Sequence, residues 1–289
     1  MHHVRVLHKV TANGVKFGYL EQGTGPLVLL VHGFPDTAHT WDASMAAVAG
    51  AGFRAVAPFT RGYLPTEVPT DGKYDTDTLG ADVVALIAAL GEQAAIVVGH
   101  DWGASGAYAA AAMAPEKVRL LITLAIPHPA AIRPTPRLAW TMRHFLTLRG
   151  TNAAAKVRAN DFALVDTLWH RWSPAWKTIP RDETAHVRAA FADPACLEAA
   201  LGYYRQLTVR LPASLKKTIT VPTVAFAGEH DNISPRVYEK ARHLFEASYE
   251  VVQVPGGHFM HREHPDHFIP ELVRVLRAKG AQRYGAVEA

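Results

Sequence analysis

The sequence predicts an α/β protein in which one doubly wound, mostly parallel eight-stranded sheet carries an inserted helical segment. Two observations lead there. Short apolar runs of strand type alternate with helical runs over most of the chain, which implies right-handed crossovers and a sheet buried on both faces. Between about Ala130 and Leu215 the strand-type runs vanish, and Trp, Arg, Ala and Pro recur with helical periodicity instead.

The elements follow in chain order. Val4–Val10 and Val15–Leu20 read as strands joined at Asn13-Gly14, a dipeptide that favours the tight turn of a hairpin. Leu27–Val31 is continuously apolar, as a strand buried on both faces must be. Strand-type runs then recur at Arg54–Ala57, Ala94–Val98, Val118–Ala125, Thr220–Ala227 and Tyr249–Val254. Helical patterns separate them at Trp41–Ala51, Asp77–Leu90, Gly103–Ala114 and Pro235–Phe245, and a last one covers Pro265–Ala278. Residues 1–129 and 215–289 are therefore expected to form the core, and residues 130–214 a helical cap over the C-terminal ends of the strands. No internal repeat or low-complexity tract appears, so core and cap are expected to form one compact unit.

Bulk properties narrow the class of function. At 289 residues the chain can bury a sizeable core, and its net charge of +4 comes from scattered basic residues, which argues against a nucleic-acid footprint. The single cysteine, Cys196, cannot form an internal disulfide, and Met1–Val10 lacks the apolar core of a secretion signal, so a cytoplasmic location is expected. No apolar stretch approaches the roughly 20 residues that span a bilayer. The longest, Leu120–Ile126, is interrupted by Thr123 and ended by Pro127.

The most informative segment is Gly99-His100-Asp101-Trp102-Gly103, set between an apolar strand run and an alanine-rich helical run. This is the pattern of a nucleophile elbow, where a strand turns sharply into a helix and the residues two before and two after the tip must be small. An aspartate at the tip is a competent nucleophile toward saturated carbon, with an alkyl ester as intermediate. The competing reading makes Asp101 a simple N-cap of the helix that follows. In doubly wound sheets the chemistry collects just past the strand ends. There the chain carries His32-Gly33-Phe34-Pro35, then Asp101, then Gly228-Glu229-His230-Asp231, then Pro255-Gly256-Gly257-His258.

These four ordered motifs resemble the α/β-hydrolase fold, and the aspartate at the elbow resembles its epoxide hydrolase and haloalkane dehalogenase branch. The resemblance covers essentially the whole chain. It implies that Asp101 is the nucleophile, His258 the general base that activates water against the ester, and Asp231 the acid that orients His258. The backbone N–H groups of Phe34 and Trp102 are the donors expected around the oxyanion, and the family pattern implies a cis peptide before Pro35. His32 is expected to tie its loop together.

Ring opening of an epoxide also needs an acid. Tyr204, which precedes Arg205 near the end of the cap, matches the position of a ring-opening phenol in epoxide hydrolases. The family usually has a second, earlier tyrosine, but Arg119 to Gly202 contains none, and His144 stands near the expected place as a candidate donor. Phe34, Trp102, Trp140 and Tyr203 are expected to wall the substrate pocket. The resemblance therefore implies a cofactor-independent hydrolase with a small hydrophobic epoxide and water as partners, acting as a monomer or homodimer. A haloalkane or haloacid dehalogenase using the same triad is the alternative, with Trp102 as a halide donor; a non-catalytic small-molecule binder is a third reading. His258, His261, His264 and His267 recur every third residue, but Pro265 breaks any continuous helix and no metal is expected.

Overall fold

The computed structural model describes residues 7–208 and 210–280. Strands β1 (Leu7–Ala12) and β2 (Val15–Gln22) form an antiparallel hairpin, and Asn13 and Gly14 both adopt the positive φ that its two-residue turn requires. The remaining strands are β3 (Leu27–Val31), β4 (Arg54–Pro58), β5 (Ala95–His100), β6 (Val118–Leu124), β7 (Thr223–Gly228) and β8 (Tyr249–Val254). They form one eight-stranded sheet in the order β1-β2-β4-β3-β5-β6-β7-β8, antiparallel at β1–β2 and β2–β4 and parallel elsewhere. The part of the expected first strand before Leu7 lies outside the described residues.

Successive residues of a strand face opposite sides of the sheet, so two apolar layers form. Val28 and Leu30 of β3 join one layer with Met45 and Val48 of α1 (Asp42–Gly50) and Phe268 and Leu272 of α11 (Pro265–Val275). Leu27 and Leu29 join the other, with Val83 and Leu86 of α2 (Thr76–Ala89) and Ala107 and Tyr108 of α3 (Trp102–Met113). Small residues let α2 and α3 approach closely: a Cβ on Gly80 would stand 2.7 Å from that of Ala109. Two short helices, α9 (Pro235–Lys240) and α10 (Met260–Glu263), complete the core. The helix expected over Pro235–Phe245 ends early at Lys240 and tightens into a 3-10 turn over Ala241–Leu244.

Between β6 and β7 the chain is helical: α4 (Pro136–Thr141), α5 (His144–Arg149), α6 (Ala153–Trp172), α7 (Ala185–Ala192) and α8 (Pro194–Gln206). The backbone of α6 leaves helical geometry at Ala159–Phe162, so it is two pieces in sequence. Asp193 caps α8 by accepting the amides of Ala195 and Cys196. Long-range bonds dock this segment on the strand ends. Trp169 Nε1 donates to the Pro35 carbonyl at 3.2 Å, His186 Nε2 meets Asp36 Oδ1 at 2.7 Å, and the Tyr203 hydroxyl donates to the Arg61 carbonyl at 2.8 Å. Among the described residues no helix is long and apolar enough to cross a membrane.

Candidate active site

At the end of β5 the backbone of Asp101 takes φ 52° and ψ −119°, a conformation in which a side chain is strained and which persists only when the surroundings enforce it. The enforcement comes from close backbone packing: a Cβ on Gly99 would lie 2.5 Å from the Gly103 carbonyl oxygen, and one on Gly103 would run into the Val31 carbonyl. The Asp101 side chain makes no capping bond to α3, which removes the N-cap reading.

Instead the carboxylate points at two groups from other strand ends. Its Oδ1 accepts the Phe34 amide at 2.8 Å, and its Oδ2 lies 3.4 Å from His258 Nε2. A Cβ on Gly33 would stand 2.6 Å from the Trp102 amide nitrogen and collide with Asp101 Oδ1, so only glycine lets the two loops close around this oxygen. The other nitrogen of His258, Nδ1, lies 3.3 Å from Asp231 Oδ1. Backbone bonds fix the imidazole from both sides: the His258 amide donates to the Trp172 carbonyl at 2.8 Å, and the His258 carbonyl accepts from His100 Nε2 at 2.9 Å.

Charge decides the protonation. Burial disfavours the imidazolium of His258, but the charges of Asp231 and Asp101 outweigh it and raise its pKa to about 10. Burial likewise pushes the Asp101 carboxyl up, and the nearby charge of His258, with the Phe34 amide, outweighs it and holds it below the ordinary value. Asp231 is raised, by burial. The free site therefore holds an ionised Asp101 beside a protonated His258. Esterification of Asp101 would remove one of the two charges that keep the proton on His258, leaving the imidazole better suited to accept one from water.

A cavity of ≈ 300 Å³ opens over Asp101, lined by Trp102, Leu138, Met142, Phe145, Trp172 and Tyr204 among others. Tyr204 is buried, with its ring edge-on to Phe34 and Trp102. Burial and the nearby Asp101 charge push its phenol well above 10, with Trp102 beside it lowering it by less. The phenol therefore stays protonated at neutral pH and has a hydrogen to donate.

The structure brings together Asp101, His258, Asp231, Tyr204, His144 and the amide of Phe34, and it corrects four expectations. Trp140 is 69% exposed and lies outside the cavity, with Arg143 stacked 4.3 Å over its ring. Tyr203, one position along α8 from Tyr204, turns away and spends its hydroxyl on the Arg61 carbonyl. Phe34 contributes its amide, while its ring packs behind Tyr204 and Phe191 rather than lining the cavity. His144 does line it, but as an acceptor: its Nδ1 lies 3.2 Å from the Thr141 carbonyl, which can only accept, so the proton sits on Nδ1. Burial lowers this imidazole to about 4, so at neutral pH Nε2 offers a lone pair and no hydrogen. As expected, His32 ties its loop together, between the Gly33 carbonyl and the Thr60 amide, and the Phe34–Pro35 peptide is cis.

The sequence offers Trp140, Trp169, Trp172 and Trp176 alike as cap tryptophans that could serve a halide and does not distinguish Trp172, whose ring lies 5.2 Å from that of His258 and whose carbonyl holds the His258 amide. Its pairing with Trp169 at helical spacing signals a buried face, but not which side meets His258. Nor do His258, His261, His264 and His267 converge. Only His261 joins a cluster of metal-ligand type, with Asp36 and His100, their ligand atoms within 4.8 Å of one another. Asp36 already meets His186, His261 Nε2 meets Thr40 Oγ1, and Arg262 and the protonated His258 lie nearby, so the cluster suits a cation poorly. The three residues instead pack as a buried polar layer behind His258.

Comparison with known proteins agrees with this fold. A family model described as the alpha/beta hydrolase fold matches residues 26–265. An AB hydrolase superfamily protein of Bacillus subtilis is 30% identical over 282 residues, covering 92% of this chain and 94% of that one. An epoxide hydrolase of Caballeronia sordidicola is 43% identical over 122 residues, a stretch that spans 42% of this chain and 37% of that relative. Among solved structures, epoxide hydrolase A from Mycobacterium thermoresistibile superposes with a TM-score of 0.80 at 25% identity, covering 95% of this chain and 98% of that one. On the sheet order, the elbow and these matches, the chain belongs to the α/β hydrolase fold family.

Proposed function

We propose that the protein is an epoxide hydrolase that opens a hydrophobic oxirane to a vicinal diol, with residues 130–214 acting as the cap of its pocket. Asp101 Oδ2 attacks a ring carbon; the C–O bond breaks, and the phenol of Tyr204 gives its proton to the departing oxygen. Asp101 is then an ester whose carbonyl oxygen, the former Oδ1, faces the Phe34 amide, with the Trp102 amide at the start of α3 as the second donor. His258, relieved of one neighbouring charge, gives its proton through solvent to the Tyr204 phenolate, and the neutral imidazole then takes a proton from water as that water attacks the ester carbonyl. Collapse of the tetrahedral intermediate breaks the bond to the substrate oxygen, which takes the proton of the added hydroxyl; the diol leaves, the Asp101 carboxylate is restored beside the protonated His258, and Asp231 holds the imidazole throughout.

The observation that carries this reading is the phenol of Tyr204, buried edge-on to Trp102 at the cavity over Asp101 and held in its protonated form. The curated relatives that bear the name epoxide hydrolase support it. The test is His258→Gln incubated with a styrene-oxide-type epoxide and analysed by mass spectrometry. The expected outcome is an ester on the peptide containing Asp101, formed but not hydrolysed. An adduct on another residue overturns the assignment of the nucleophile.

One observation favours the dehalogenase reading: the indole Nε1 of Trp172 is buried at the cavity with no hydrogen-bond partner, as a halide donor would be. Against it, the protonated phenol of Tyr204 at the same cavity supplies a proton that a departing alkoxide needs and a halide does not. Halide release from a haloalkane without epoxide turnover would reverse the order of the two.

A further inference from the structure

The stretch from Lys117 to Asn160 contains eight Lys and Arg and no Asp or Glu, although the whole chain has a net charge of only +4. The remainder is therefore net acidic, and six of the eight fall over residues 133–158, in and just before α4, in and just before α5 and in the first part of α6. The outer side of α4 and α5 also carries the two most exposed large apolar side chains among the described residues, Trp140 at 69% and Leu146 at 80%. Their inner side, through Leu138, Met142 and Phe145, walls the catalytic cavity.

Beside Leu146 a second cavity of ≈ 320 Å³ is lined by Arg143, Thr147, Leu164, Leu168 and Arg171. Both guanidiniums line it; Arg171 is lowered by burial and, after that, by the charge of Arg143, whose Nη1 donates to the Trp140 carbonyl at 2.7 Å, and among the described residues neither arginine forms a salt bridge with a carboxylate. Two like charges at the mouth of a leucine-lined groove repel each other unless an anion joins them. An anion of that kind needs an apolar portion to suit the leucines. His144 lines both cavities, so this groove backs directly onto the catalytic pocket.

We propose that this face of the inserted helices docks on an anionic lipid surface, with a lipid phosphate between Arg143 and Arg171 and with Trp140 and Leu146 set into the interface. Trp and Leu opposite a cationic face are the side chains that enter the headgroup region of a bilayer, and clustered guanidiniums select anionic lipids. The contact is peripheral, and no segment crosses the membrane. Docked in this way, the wall of the catalytic cavity formed by α4 and α5 faces the phase in which an apolar substrate dissolves.

The test is co-sedimentation of the full chain with vesicles of phosphatidylcholine alone and with phosphatidylglycerol added. The expected result is association with the anionic vesicles only, weakened by added salt. Each cation near such a surface contributes about fivefold to partitioning, so Arg143→Gln with Arg171→Gln is expected to lower it about 30-fold. The Lys pair at the same positions is expected to keep most of it, and Trp140→Ser with Leu146→Ser to lower it at unchanged charge. Circular dichroism melts establish that each variant is folded. Equal binding to both kinds of vesicle, indifference to the Arg pair, or concentration-dependent self-association that disappears with Trp140→Ser and Leu146→Ser would each overturn the proposal. None of these readouts depends on turnover, so they stand apart from the epoxide assignment.

Discussion

Tyr204→Phe removes one oxygen and leaves the ring, and the structure says what that oxygen is worth. The ring is held edge-on by Phe34, Trp102 and Phe145 at centroid distances of 5.0, 5.3 and 5.2 Å, contacts that phenylalanine preserves. The variant therefore keeps its packing and loses only a donor. Because His144 carries its proton on Nδ1, toward Thr141, it does not replace that donor on the departing oxygen. Removing a single preorganised donor from a developing oxyanion costs about 2.7–4 kcal/mol, or about 10²–10³ in rate. Single-turnover formation of diol from an aryl epoxide, followed by chromatography, measures the step directly. His144→Phe is the control, expected to stay within about fivefold of the parent. The reasoning is refuted if Tyr204→Phe also stays within that range, or if His144→Phe loses more.

Four further outcomes are expected. Asp101→Asn deletes one of the two charges that raise His258 to about 10, so the imidazole pKa, followed by NMR, should fall. Because the folded value lies above the unfolded value of about 6.5, the stabilisation from the His258 charge is full below pH about 6.5 and is lost as pH rises through about 10; the melting temperature should therefore decline over that window more in the parent than in His258→Gln. Gly103→Ala drives a methyl into the Val31 and His32 carbonyls, which are backbone and cannot swing aside, so a loss of about 3 kcal/mol or failure to fold is expected in a thermal melt. Arg61→Met leaves the buried Asp82 carboxylate without its bidentate partner and is expected to cost about 3–5 kcal/mol in denaturant unfolding.

The parts of the site legible in the sequence were those that backbone geometry dictates. Gly33, Gly99 and Gly103 are glycines because carbonyls and amides crowd them, and that crowding fixes where the elbow turns. Asp231 and His258 sit just past strands, where a parallel sheet gathers polar side chains. What failed was direction on the inserted helices, where one residue turns the side chain through about 100°. Tyr203 and Tyr204 are adjacent, yet one faces Arg61 and the other the cavity. Trp140 and Trp172 have the same chemistry, and only the packing of α4 and α6 sends one to solvent and the other against His258. Scattered basic residues likewise hid the missing acids over 117–160, because an absence makes no run to notice.

The backbone bond from the His258 amide to the Trp172 carbonyl limits how freely this fold can be recombined. Helical insertions of this kind look like exchangeable modules, to be swapped between scaffolds for a new pocket shape. Here the insertion also supplies the Ser173 hydroxyl that accepts the Phe259 amide, and a side chain on Gly257 would strike the Trp172 carbonyl. A graft that replaces the helices but not the Trp172-Ser173 corner would leave the loop of His258 without its template. A chimera should therefore keep that dipeptide with the core and place its junctions on either side of it.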